Sequence, residues 1–430
     1  MPALSRVFRT VGSSEKFPIE NIMIIAKRIG LFLLLAAHLA VACTTVIVTA
    51  KASKSGQPII WKNRDTDSPE NKLSYCKGEK YNFIGVYNLS DSTEKECWMG
   101  SNEVGLCVIN TASYNLKYEK YKGEMEQEGI IIRKALSTCK TVKDVDALFE
   151  STKGTRGVEA NFGVIDADGG AAYYETTPFG YTKFDVNDPL VAPHGYLVRT
   201  NYSFSGTVED GQGYIRYTTA NDAMYWGLLG KTLGVEYILT DVARGLTHSL
   251  TGTNLWKTPL PASAQEKTMI PFSDYVLRFS TASSLIMEGV KPGEDPSLTT
   301  LWLTLGNPLV TPVIPVWVAS KDDQPEMLVS SRYQSAPLNA RSLVWKGMLF
   351  PMKAPEGERY MNLAPLLNLE RTGYLQRLVE FDHNTIQSAA PLIEQMRKDG
   401  FSQKKVYEFQ KKLQERIKEL YDAKEGNLCQ

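Results

Sequence analysis

The chain has 430 residues and a mass of 48.0 kDa, enough for one large domain or two modest ones. Lysine plus arginine number 48 and aspartate plus glutamate 48, so no basic excess points to nucleic acid and no acidic run to a disordered tail. Four histidines and no His/Cys cluster at metal-ligand spacing argue against a zinc site, and no motif asks for a cofactor.

In chain order, the first signal is an apolar run. Lys27 and Arg28 precede Leu31 to Ala37, and the run ends in Ala40-Val41-Ala42 directly before Cys43. It is too short to span a bilayer comfortably, and a charged flank, short apolar stretch and small-residue site describe a cleaved signal peptide. Such a peptide is complete from Met23, so residues 1–22 read as an upstream extension. The expectation is an exported protein, periplasmic or secreted, whose mature chain starts at Cys43. Removing five basic and two acidic residues leaves 43 against 46, a charge of −3.

Residues 44–50 are β-branched, Ser53-Lys54-Ser55-Gly56 is turn chemistry, and Pro58-Ile59-Ile60-Trp61 returns as a strand. Strand-like stretches recur at 82–88, 105–110, 162–166, 171–176 and 195–200, with a hairpin loop at 166–170. Helical spacing appears at 128–139, 142–150 and 217–245. A sheet-like region follows at 301–319. From 365 to 423 apolar residues recur three and four apart among Lys/Glu pairs, predicting helices. Gly211-Gln212-Gly213 lacks the context of a dinucleotide loop and reads as a turn. Strands, a helical block, more strands and terminal helices suit one layered α+β domain over 43–364, with a helical extension over 365–430 packed on it or forming an oligomer contact.

The chemistry centres on Cys43. A free thiol has a pKa of about 8.5 and attacks only as thiolate. Once Cys43 leads the chain, its own α-amine, with a reference pKa of about 7.7–8.0, can take that proton. This dispenses with a histidine, and only three remain after cleavage: His194, His248 and His383. His194 is the fallback base. A competing reading makes Cys43 an acylated lipoprotein cysteine, which would bring the protein to a membrane. Of the other thiols, Cys76, Cys97, Cys107, Cys139 and Cys429, all five cannot pair among themselves; disulfides and buried free cysteines are equally open.

Downstream motifs decide between these readings. Cys43-Thr44-Thr45, Asn63-Arg64-Asp65-Thr66-Asp67, Asn102-Glu103-Val104-Gly105-Leu106 with Asn110 beyond it, Asn161-Phe162-Gly163, Tyr174-Glu175, Arg199-Thr200-Asn201 and Tyr214-Ile215-Arg216-Tyr217 follow in order. Together they resemble the acyl-coenzyme A:6-aminopenicillanic acid acyltransferase family, related to choloylglycine hydrolases and penicillin V acylases in the N-terminal-nucleophile superfamily. The likeness covers residues 43–220, weakens over 301–317 and does not reach the terminal helices.

The resemblance implies an α+β fold, a four-layer αββα sandwich of the N-terminal-nucleophile hydrolase type, with extra C-terminal helices. It implies a catalytic set of Cys43, Arg64, Asp67, Asn110, Asn201 and Arg216. Cys43 would attack a linear amide. Asp67 would hold its amino group, Arg64 would sit by the sulfur, and Asn110 would donate to the oxyanion. Asn201 would orient substrate or amine, and Arg216 would stand at the start of the next helix. Taken singly, Arg64 and Asp67 read as a surface ion pair and the asparagines as turn residues. The implied partner is a small-molecule amide. Two departures matter: Ala42 rather than glycine precedes the cysteine, and Lys51-Ala52-Ser53 after Cys-Thr-Thr is similar to dipeptidases of the same superfamily. A ligand-binding lipoprotein without catalysis is the alternative of a different class.

Overall fold

The structure, a computed structural model, describes residues 43–330, 335–354 and 356–428, with side chains to Asp422. The signal peptide, the Met23 start and Cys429 lie outside them. Among the described residues, no helix is long and apolar enough to cross a membrane.

Strand β1 (Thr44–Val48) and β2 (Ile59–Asp65) form the first hairpin, pairing Thr44 with Asn63 and Thr45 with Lys62. The turn between them needs Gly56 at a φ of 71°, a left-handed conformation that a side chain disfavours. Six antiparallel strands then build the first part of a second sheet: β3 (Asn71–Cys76), β4 (Phe83–Asn88), β5 (Met99–Asn102), β6 (Cys107–Ala112), β7 (Ala160–Ile165) and β8 (Ala171–Thr176). Helices α1 (Glu128–Thr138) and α2 (Val142–Ser151) intervene after β6; Thr141 and Asp144 close a capping box at the start of α2. β9 (Tyr181–Asp185) completes that sheet, in the order β3-β4-β5-β6-β7-β8-β9.

β10 (Tyr196–Arg199) returns to the first sheet beside β1, followed by α3 (Tyr214–Leu229) and a π-turn at Ile238–Ala243. β11 (Thr281–Glu288), β12 (Thr300–Thr304) and β13 (Ile314–Val316) finish the sheet β10-β1-β2-β11-β12-β13. Three helices end the chain: α4 (Pro337–Leu349), α5 (Tyr374–Asp399) and α6 (Gln403–Leu428).

Strand alternation explains the stacking. On β1, Val46 and Val48 pack with Ala220 and Met224 of α3, while Ile47 points the other way to join Ile109 and Tyr173 of the second sheet. On the far face of that second sheet, Val108, Phe162 and Tyr174 pack against Ile132 and Phe149 of α1 and α2. Helices, sheet, sheet, helices: this is the four-layer αββα sandwich the resemblance implied. The C-terminal helices do more than rest on it. Leu413, Ile417 and Tyr421 belong to the central apolar cluster, and Ala389, Ile393 and Met396 to the one beneath α3.

Candidate active site

Cys43 stands one residue before β1 and is 3% exposed. Extending the pairing by one step beyond Thr44 and Asn63 sets Cys43 opposite Arg64. Directly opposed residues share a sheet face, so Cys43, Lys62 and Arg64 lie together on the face turned to the second sheet. The Cys43 Sγ is 3.9 Å from the Asp65 carbonyl.

Two predicted residues hold the backbone of Cys43. Its N–H donates to Asn201 Oδ1 at 3.0 Å, and its carbonyl accepts from Arg216 Nη1 at 2.7 Å. Arg216 also donates to Thr44 Oγ1 at 3.0 Å and to Asn201 Oδ1 at 2.8 Å, so one guanidinium locks Cys43 and Asn201 together. Burial pulls the Arg216 pKa down to about 10, with Asp65 opposing the fall. Arg216 is among the best-connected residues of the site.

Arg64 is buried too. It donates to Asn71 Oδ1 at 2.8 Å and Asn88 Oδ1 at 2.7 Å, and its guanidinium lies 4.7 Å above the Trp98 ring. Burial draws its pKa down to about 10; negative charge on Cys43 is the leading influence against that fall. Asn110 accepts from Lys62 Nζ at 2.7 Å through Oδ1. Its Nδ2 hydrogens have no hydrogen-bond acceptor among the described residues and stay available to a ligand.

Asp67 is not where the motif spacing put it. β2 ends at Asp65, the chain turns as Thr66 N–H bonds the Ser280 carbonyl, and Asp67 is left exposed beside Ser68. Asp65 is the buried carboxylate at this end of the strand, 1% exposed. Its Oδ1 accepts from Thr281 Oγ1 at 2.5 Å, and its Oδ2, without a hydrogen-bond partner, lies 3.9 Å from Arg278. Burial raises the Asp65 pKa, with Arg278 and Arg216 pulling the other way.

Lys62 also escaped the sequence reading. It is 1% exposed, bonded to Asn110 and to the Trp98 carbonyl at 3.0 Å, and burial lowers its pKa to about 8 while negative charge on Cys43 raises it. The available clue was its alternation with Ile60, which puts a lysine on an apolar strand face.

The Asn201 segment is clamped on both sides. Asn161 Nδ2 donates to the carbonyls of Thr200 at 3.0 Å and Tyr202 at 3.2 Å, and its Oδ1 accepts from Ser203 Oγ at 2.6 Å. Glu175, in an ion pair with Arg199 at 2.8 Å, accepts from the N–H groups of Phe204 and Ser205. This bonding leaves Asn201 buried.

Residues 52–221 match the family model of acyl-coenzyme A:6-aminopenicillanic acid acyl-transferase. That stretch holds the motifs from Asn63-Arg64 to Tyr214-Ile215-Arg216-Tyr217 and begins after Cys43 and β1. The fold is similar to three solved structures. An N-acylethanolamine-hydrolyzing acid amidase ortholog from Caenorhabditis elegans is 15% identical, over 57% of this chain and 92% of that one, at a TM-score of 0.38. A variant of conjugated bile acid hydrolase from Clostridium perfringens is 11% identical, over 65% and 94%, at 0.40. Penicillin V acylase from Agrobacterium tumefaciens is 12% identical, over 64% and 86%, at 0.38. These overlaps are loose and carry no chemistry by themselves. Among curated proteins, no sequence matches the chain.

The remaining candidates fall elsewhere. His194 is exposed, and β10 pairs Tyr196 with Val48, so His194 sits at the end of β1 away from Cys43. Cys76, Cys97, Cys107 and Cys139 are free and buried. A cavity of about 350 Å³ lined by Glu175, Tyr181, Ser205 and Thr207 does not include Cys43.

Proposed function

We propose that the protein hydrolyses a linear amide of an N-acyl compound through Cys43 as an N-terminal nucleophile, with transfer of the acyl group to another amine as the close variant. The reading requires export and removal of residues 1–42. The observation that carries it is the hold on Cys43: its nitrogen bonded to Asn201, its carbonyl to Arg216, and Arg64 directly across the strand pair.

The chemistry follows from these contacts. The α-amine of Cys43 takes the thiol proton, directly or through one water, and the sulfur attacks the amide carbon. Arg64 stabilises negative charge on sulfur. The carbonyl oxygen becomes an oxyanion and accepts from Asn110 Nδ2, whose other amide atom is fixed by Lys62. The ammonium then protonates the leaving nitrogen, the C–N bond breaks, and a thioester remains on Cys43. Water adds to the thioester carbon, giving its proton to the amine; the acid departs and the thiol regains the proton.

Three proteins test this: one starting at Cys43, one keeping a single alanine before it, and Cys43→Ala at the correct terminus. In the extended protein the nitrogen beside the thiol is an amide and accepts no proton. Turnover across a panel of N-acyl amides is expected to fall about 10²–10⁴-fold in the extended form and to vanish in Cys43→Ala. Normal turnover by an extended protein shown intact by mass would exclude the mechanism.

A further inference from the structure

Among the described residues, four buried thiols have no part in the proposed chemistry, and two of them are neighbours. Cys76 ends β3, and Cys97 lies in the connection between β4 and β5. Both belong to the apolar cluster packed against α1 and α2. Strand register brings them together. Ser74 stands opposite Gly85 and Cys76 opposite Phe83, so Gly85 is the diagonal neighbour of Cys76 on one sheet face. Gly85 has no side chain, and the Cys97 sulfur fills that space; a Cβ there would run into it. Diagonal neighbours lie about 7–8 Å apart, and a disulfide needs Cβ atoms about 3.5–4.5 Å apart. A shift of roughly 3 Å in the connection that carries Cys97 closes the gap.

The surroundings fit a thiol pair. The Tyr87 hydroxyl lies 3.3 Å from Cys76 Sγ. Burial pushes both thiols up to about 12; on Cys97 the next influence is negative charge on Cys76, and the Tyr87 hydroxyl draws both down. Cys76 is the point of entry. It is 6% exposed against 0% for Cys97, and its Sγ donates at 3.4 Å to Glu94, a partly exposed carboxylate that also bonds Lys72 and Ser74. Cys97 leads to the site. It faces the helices, while the next residue, Trp98, turns its ring to Arg64 at 4.7 Å and its carbonyl to Lys62 Nζ at 3.0 Å. Two bonds fix this step: Cys97 N–H to the Gly129 carbonyl at 3.1 Å, and Trp98 N–H to that of Val86 at 3.0 Å.

We propose that Cys76 and Cys97 are a redox pair, whose closure to a disulfide pulls Cys97 toward β3 and draws Trp98 away from Lys62 and Arg64. The oxidant is a small disulfide of the glutathione class. The Cys76 sulfur attacks one of its sulfurs and releases one thiolate; the Cys97 sulfur then displaces the second. The pair loses two electrons and two protons, and the small disulfide becomes two thiols. Formation of the bond does not depend on the proposed hydrolysis; its effect on turnover does.

The bond is tested in Cys43→Ala protein starting at residue 43, which has no thiol at the site to compete. Equilibrated with oxidised glutathione, it should lose two hydrogens by mass and yield a Cys76–Cys97 cross-linked peptide in a non-reducing digest; Cys76→Ser in the same background should yield none. Hydrogen exchange at the Cys97 and Trp98 amides should quicken in the oxidised form. Separate glutathione adducts, free thiols at every redox ratio, or a cross-link through another cysteine overturns the pair. A Cys76–Cys97 bond with unchanged exchange at both amides overturns the link to the site. In protein that keeps Cys43, the cross-linked form should turn over on the order of 10²-fold more slowly and recover with reductant. Cys76→Ser treated alike should show only the loss that glutathione on Cys43 itself causes. Equal losses in the two proteins count against the switch, whereas a Cys43-led protein that cleaves no amide, with cross-link and exchange as expected, counts against the proposed function alone.

Discussion

At the scale of single residues, charge placement decides what each group can do. Lys62 is protonated below about pH 8 and neutral above it, because burial penalises its ammonium. The positive charge it brings to Asn110 and Cys43 is therefore present at low pH and lost as pH rises. Turnover should decline above about pH 8, and Lys62→Arg should move that falling limb upward, since a guanidinium keeps its proton. A pH–rate profile of both proteins checks this; superimposable falling limbs would remove Lys62 from the rate. The stability consequence has the opposite direction. The folded pKa lies below the unfolded 10.5, so between about 8 and 10.5 the unfolded chain holds the extra proton and folding strengthens as pH rises. Asn110→Ala tests the oxyanion role. It should slow acyl transfer about 10²–10³-fold with melting nearly unchanged, as expected for one lost donor. Unaltered turnover in a normally melting variant would place the donor elsewhere.

At the scale of elements, the geometry around Cys43 depends on a strand pair and one clamped loop. β-branched and aromatic residues made β1, β2, β7 and β8 legible in sequence, because those residues suit a pleated, covered surface. β11 was missed: Thr281-Ala282-Ser283-Ser284 looks like a loop, and only its central place beside β2 buries those hydroxyls, as Trp61 Nε1 donating to Ser284 shows. The same limit hid the burial of Lys62 and of Asp65, and left the exposure of Asp67 unseen. Spacing alone fits Arg64 to Asp67, but where β2 stops and which face the second sheet covers are tertiary facts. Asn161 was legible as a motif member and not as a clamp. Among the described residues it makes no hydrogen bond to Cys43, so it is a positioning residue, gripping the carbonyls on both sides of Asn201. Asn161→Ala should lower kcat about 10²-fold through misplaced Asn201, with KM little changed. Asn161→Asp, which replaces the donating Nδ2 by an oxygen, should do no better. A folded Asn161→Ala protein with parental kcat would show that the remaining bonds, from Thr111, Asn115 and Glu175, hold the loop alone.

For the whole molecule, periodicity predicted terminal helices over 365–423 but made them an addition packed on a finished domain. Their depth is set by partners far away in sequence. Asp382 of α5 is fully buried, 2.5 Å from Arg244 beyond the π-turn, and accepts from the Val313 N–H at 3.0 Å. Tyr421 of α6 donates to the Val310 carbonyl at 2.9 Å, and Gln410 to that of Pro315 at 2.9 Å. Leu375, Leu378, Ile393, Met396, Leu413, Ile417 and Tyr421 are each 6% exposed or less. Burying a side chain of this size contributes about 1.5–3 kcal/mol, so their sum rivals or exceeds the net stability of a domain, about 5–15 kcal/mol. Ending the chain at 364 would also strip Arg244 of its carboxylate, and breaking such a pair from one side costs about 3–5 kcal/mol. Residues 43–364 alone should therefore show no cooperative unfolding in urea and no turnover. Asp382→Asn in the full protein should lower the urea midpoint and keep a single transition. A 43–364 protein that unfolds cooperatively and hydrolyses amides at the parental rate would return the terminal helices to the accessory role their sequence suggested.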